Sequence, residues 1–169
     1  KGASDGASIA LSVGTILIAV IALVYIVNSI LGAISSPFGI DISIESILGY
    51  LFAPIAWLMG IPWEEAVTSG KLLGIKTTLN EFVAYPALAN MEYGEISERS
   101  KLITFYSLCG FANLSSVGIL ISGITAMAPE RKDDLIKVSL KALVGATLAS
   151  CMTGLIAVSY THLRAHETL

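Results

Sequence analysis

Charge is scarce in this chain: 14% of its 169 residues are Asp, Glu, Lys or Arg, against about 25% in an ordinary soluble domain. What charge there is sums to −3, with no basic patch that would suit a phosphate backbone, so a nucleic-acid polymer is excluded as a partner. Cysteine is rarer still. Cys109 and Cys151 are the only two, both inside apolar stretches and neither in a CxxC or paired Cys/His spacing. That excludes a disulfide framework, a zinc site or a redox centre, and leaves each thiol to act as a small hydrophobe. The first residue is Lys1, and no basic segment with a small-residue cleavage site precedes the first apolar run. The start therefore reads as truncated rather than as a leader.

What fills the chain is hydrocarbon: 54% of residues are hydrophobic and the mean hydropathy is +0.78. From Ile9 to Ile34 there is no charged residue, a run long enough to cross roughly 30 Å of bilayer core as a helix. Ser4, Asp5 and Ser8 offer N-cap chemistry before it, and Ser35, Ser36 and Pro37 end it. Asn28, the strongly polar residue inside, reads as a helix–helix hydrogen bond. Two further spans are predicted, at about 102–128 and about 137–158.

Between the first two spans the pattern is broken. The stretch at about 43–85 is apolar, but Pro54 splits it and Pro62 follows soon after, which predicts a re-entrant hairpin rather than a full span. Irregular backbone at membrane depth survives only where protein or a watery cavity satisfies it, so such breaks point to a transport site. Ser97 is the expected N-cap of the helix that follows the polar loop 90–101. Gly145, Ala149 and Gly154 predict close packing of the last span. The densest group of Lys and Arg, Arg131 to Lys141, belongs in the cytoplasm by the positive-inside rule. The C-terminus then lies outside, as do residues 90–98. Residues 159–169 lose the hydrophobic pattern and read as a non-native tail, which removes His162 and His166 from consideration as a metal pair.

Glu81 is the most informative residue, because a carboxylate in a broken apolar segment costs several kcal/mol unless it is partnered or wet. It suits sugar hydroxyls as an acceptor; the competing reading is an ion pair with Lys71 or Lys76. Further on, Asn113 and Ser116 share one face if the backbone is helical, and Gly110 and Gly118 around them permit local unwinding. An amide and a hydroxyl together can donate to and accept from a polyol, and Phe111 can supply an apolar wall. The competing reading is that Asn113 and Ser116 only join helices. No native histidine, nucleophile–base pair or metal cluster stands beside these residues, so an enzyme is not expected.

Two long motifs carry a resemblance: Gly74 to Tyr85 (GIKTTLNEFVAY) and Cys109 to Ile119 (CGFANLSSVGI), with Ser97–Ser100 and Met127–Lys132 in the same order. Together they resemble the concentrative nucleoside transporter family, over about residues 5–157. The resemblance implies an all-α membrane protein, half of an inverted-repeat transporter, with a re-entrant hairpin and a broken transmembrane helix. It implies Na⁺- or H⁺-driven import of nucleosides by a homotrimer in the cytoplasmic membrane. By motif position, Glu81 would bind ribose hydroxyls from the hairpin, Asn113 and Ser116 would do so from the broken helix, and Phe111 would line the pocket. No cofactor is implied, and the coupling-ion site is expected in the N-terminal half of the family. The alternative in another class is a membrane structural or assembly subunit that binds no solute.

Overall fold

The computed structural model describes residues 2–40, 42–92 and 94–167, with the side chains of Asp5 and of residues 160–167 outside the described set. His162 and His166 fall in that undescribed group. The described residues are helical, with no strand among them. In chain order the helices are α1 (Gly2–Ser35), α2 (Ile44–Leu58), α3 (Trp63–Thr78), α4 (Glu81–Ala89), α5 (Glu98–Leu108), α6 (Leu114–Met127) and α7 (Lys132–Glu167).

Two of the described helical stretches are long and apolar enough to cross a membrane: Gly2–Phe38, with mean hydropathy 2.7, and Pro129–Ser159, with 1.8. The first carries large apolar side chains facing outward along its length, among them Leu11, Ile18, Leu23 and Ile34, as lipid requires and water does not. It starts earlier than its expected cap residues, at Gly2, and stops at Ser35, where Ser36–Phe38 forms one 3₁₀ turn. Asn28 reaches α2 as expected of a helix–helix bond. Its Nδ2 donates to both Glu45 oxygens, at 3.1 and 2.9 Å, while its Oδ1 accepts from the Ile44 amide at 2.9 Å. One side chain thereby satisfies an orphan donor at the start of α2 and orients the carboxylate beside it.

The stretch 43–85 is built from three helices where two arms were expected. Pro54 does not split it; α2 runs through Pro54 to Leu58. The missing N–H and ring clash of a helical proline cost about 3 kcal/mol, but Pro54 points to the exposed face while Phe52, Ala53 and Ala56 are buried. Packing on one face holds the helix across the defect on the other. The chain turns at Met59–Pro62 into α3, and then breaks again at Leu79–Asn80 before α4.

Helices α2 and α3 approach almost backbone to backbone. A Cβ added at Gly70 would collide with the Gly49 carbonyl and lie 3.1 Å from the Ala53 amide. At a second close interface, a Cβ at Gly154 of α7 would run into Ser107 Oγ and lie 2.6 Å from the Ile103 carbonyl of α5. Gly154 thus packs closely as expected, whereas nothing lies within 4 Å of a Cβ at Gly145. Ala53, Ala56, Ala66, Ile103 and Cys151 close the core between these helices. A second cluster gathers Leu72 and Leu73 of α3 with Ala84 and Leu88 of α4, so α4 folds back on the helix before it.

Overpacking a tight interface costs about 1–3 kcal/mol. Gly70→Ala and Gly154→Ala are expected to lower the thermal stability of the detergent-solubilised protein by that amount, while Gly145→Ala leaves it unchanged.

Candidate functional site

Two interruptions of helix meet in space. The first lies between α3 and α4, where Leu79 takes φ −97°, ψ −96° and Asn80 is extended at φ −170°, ψ 174°. Asn80 restarts the helix by accepting the Val83 amide on its side-chain oxygen at 3.1 Å. Glu81 is then the first residue of α4. The second interruption, Cys109–Asn113, separates α5 from α6. It is confined to those residues; Gly118 stays helical and faces Ile16 of α1.

Asn113 is the N-cap of α6, with Ser116 closing a capping box. Asn113 Oδ1 accepts from the Ser116 amide at 2.7 Å, and Ser116 Oγ accepts from the Asn113 amide at 3.0 Å and donates to the Asn113 carbonyl at 2.7 Å. The two residues therefore do not stand side by side on a helical face, but bond to one another across a helix start. Both are buried, at 0% and 2% exposure, so every polar group they carry needs a partner. The capping box supplies most of them.

The remaining one crosses to the first interruption. Asn113 Nδ2 donates to Glu81 Oε2 at 3.0 Å, and Ser115 Oγ donates to the Leu79 carbonyl at 3.3 Å. Glu81, half-buried, thus sits at the start of two helices, its own α4 and the neighbouring α6. The positive ends of both macrodipoles favour its negative charge. Its Oε1 has no hydrogen-bond partner among the described residues. The arrangement sets an open carboxylate oxygen beside a buried amide nitrogen that carries a second N–H, an acceptor beside a donor, which is the chemistry that recognises neighbouring hydroxyls.

Phe111 is on the same linker but 54% exposed. It lines a groove of about 260 Å³ between α6 and α7, together with Ser116, Leu120 and Leu143. The structure therefore brings Glu81, Asn113 and Ser116 together and sets Phe111 at the edge of the group.

The proposed ion pair of Glu81 with Lys71 or Lys76 is not formed; among the described residues the ion pair is Arg131–Asp134, at 3.1 Å. Lys76, 1% exposed, instead donates from Nζ to the Ser107 carbonyl of α5 at 3.2 Å. Of the two thiols expected to act as small hydrophobes, Cys109 is exposed and accepts the Tyr85 hydroxyl at 2.9 Å, while Cys151 is buried. Asn80 and Ser115 complete the junction of the two interruptions and were not singled out for it. The Asn-Glu and Asn-x-Ser-Ser order is the signal for the caps, since Asn followed by a new helical run is N-cap chemistry.

Residues 1–158 match the family model described as the C-terminus of Na⁺ dependent nucleoside transporters. The chain is 46% identical over 158 residues to the uncharacterized transporter YutK of Bacillus subtilis, covering 93% of this chain and 39% of that protein. It is 41% identical to the nucleoside permease NupC of Helicobacter pylori, covering 98% and 41%. Against human solute carrier family 28 member 3 it is 35% identical, covering 100% and 27%. The solved structure of CNTnw in an inward-facing substrate-bound state superposes with a TM-score of 0.79 at 41% identity, over 96% of this chain and 40% of the other. A CNTnw variant in an intermediate state gives 0.86, over 94% and 40%. The chain spans about two fifths of the length of these bacterial relatives.

The caps can be separated from the bridge by substitution. Loss of an N-cap costs about 1 kcal/mol, and loss of a hydrogen bond to a charged group about 1.5–3 kcal/mol. Asn113→Ser keeps a cap oxygen but is too short for Glu81, so thermal unfolding is expected to show a smaller loss for it than for Asn113→Ala.

Proposed function

The chain belongs to the family of Na⁺ dependent nucleoside transporter C-termini, and from that premise we propose that it forms the ribose-gripping side of a cation-coupled nucleoside importer. The observation that carries the reading is the 3.0 Å contact from Asn113 to Glu81, which joins the two helix interruptions. Glu81 Oε1 accepts one ribose hydroxyl, the free N–H of Asn113 donates to its neighbour, and Ser116 exchanges its capping bond for a third contact. Phe111 turns its ring onto the sugar or base from the edge of the linker. Helices α3 and α4 form the re-entrant hairpin, with its tip at Leu79–Asn80, and α5 and α6 are the two halves of the broken transmembrane helix.

The coupling ion is Na⁺ or H⁺, bound elsewhere in the transporter, and the assembly is a homotrimer in the cytoplasmic membrane. Residues 159–169 are read as a non-native tail from their loss of the hydrophobic pattern; the family model ends at residue 158, while the similarity to human solute carrier family 28 member 3 covers 100% of this chain. One observation favours the second reading, a structural subunit without a ligand: the hydroxyl of Ser116 is already engaged inside the capping box. The open Oε1 of Glu81 favours transport.

In the complete transporter, Glu81→Gln and Asn113→Ala are expected to weaken uridine and adenosine binding by about 10- to 100-fold, the worth of one charged hydrogen bond, with membrane insertion intact. Loss of insertion with no separate loss of binding would favour the structural subunit. With Arg131–Lys141 in the cytoplasm, cysteines placed at residues 90–98 are expected to react with an impermeant maleimide from outside the cell, and protection there would reverse the topology.

A further inference from the structure

Helix α3 carries two charges that the nucleoside reading does not use, and both land on the ends of one neighbour. Ser97, the N-cap of α5, donates to Glu65 Oε2 at 2.9 Å. Lys76 Nζ donates to the carbonyl of Ser107, in the last turn of α5, at 3.2 Å. Residues 65 and 76 are three helical turns apart, about 16 Å, and α5 spans about the same length. The two helices therefore run side by side in the same direction. Parallel macrodipoles repel, and here a carboxylate meets the positive end of α5 and an ammonium its negative end, the placement that offsets the repulsion.

Between these ends the polar attachment is weak. Ser69 of α3 and Thr104 of α5 are buried, and neither hydroxyl has a hydrogen-bond partner among the described residues. Lys76 also borders the second interruption itself: a Cβ built at Gly110 would lie 3.5 Å from Lys76 Nζ and would collide with Ser150. The ammonium thus lies beside the linker that leads to Asn113, and it belongs to the helix whose end leads to Glu81.

We propose that Lys76, with Glu65 as its counterpart at the far end of α5, is a positioning residue that sets the Cys109–Asn113 linker so that Asn113 reaches Glu81. Lys76 acts on the ligand through that pair, not by contact. The ordering role needs the charge and the donor together, because a buried carbonyl at a helix C-terminus attracts a cation more strongly than a neutral group.

The test uses the complete transporter and two readouts. Uridine and adenosine binding rests on the nucleoside reading; amide hydrogen exchange across residues 109–116 in the absence of nucleoside does not. Lys76→Met keeps the side-chain length and removes charge and donor, while Lys76→Gln keeps a donor. Lys76→Met is expected to weaken nucleoside binding about tenfold when Asn113 is present and less than about twofold in an Asn113→Ala background, the non-additivity of residues acting as a unit. Exchange across 109–116 is expected to rise about tenfold, from local opening of the linker, with Lys76→Gln intermediate in both. Equal losses in the two backgrounds, or unchanged exchange, would overturn the proposal. So would failure of both variants to insert, since Lys76 would then be needed for folding rather than positioning. If the unsubstituted transporter binds neither nucleoside, the nucleoside reading fails and the exchange measurement alone decides the role of Lys76.

Discussion

A helix that stops inside an apolar bundle leaves backbone donors and acceptors that lipid cannot satisfy, and in this protein two such stops satisfy one another. The side-chain Nδ2 of Asn113 donates to the carboxylate of Glu81, and the hydroxyl of Ser115 donates to the carbonyl of Leu79. The first contact joins the side chains that flank the two interruptions, and the second satisfies a backbone carbonyl at the first interruption with a side chain from the start of α6. An unpaired buried polar group costs about 1–3 kcal/mol, and the bond from Ser115 removes that cost for the Leu79 carbonyl. The candidate carboxylate is therefore also part of the bridge between the two interruptions.

The rest of the bundle brings these interruptions together. The near-contact of Gly49 and Gly70 fixes α2 against α3, and that of Gly154 with Ile103 and Ser107 fixes α7 against α5. Asn28 ties α2 to the long outer helix α1. Small residues allow the approach and polar side chains lock it, the usual division of labour where lipid supplies no hydrophobic drive between helices. Rigid placement of α3 and α5 then decides where Glu81 and Asn113 are.

Much of this was legible in the sequence, and the limits have physical causes. The uncharged run at Ile9–Ile34 marks α1, Asn28 marks a helix contact, and Ser97 marks the start of α5, because each signal is local. Pro54 misleads because its cost is local while the packing of Phe52, Ala53 and Ala56 that outweighs it is not. The same holds for Lys76. Along the chain its nearest candidate partner is Glu81, but the break at Leu79 redirects the carboxylate, and the partner it finds, the Ser107 carbonyl, is 31 residues away. Asn113 and Ser116 are identifiable as a site by residue type, while their mutual capping depends on where α6 begins, and a glycine-flanked segment leaves that point open.

The capping box at Asn113 has one further consequence. The hydroxyl of Ser116 is bonded to both the backbone N–H and the carbonyl of Asn113, so it is already satisfied within the protein. A visiting hydroxyl that takes Ser116 gains only the difference between two hydrogen bonds, whereas one that takes Glu81 Oε1 fills a vacant acceptor. Under the nucleoside reading, affinity is then concentrated on the carboxylate, and the serine acts as a comparator that rejects solutes whose hydroxyls are placed less well than its own.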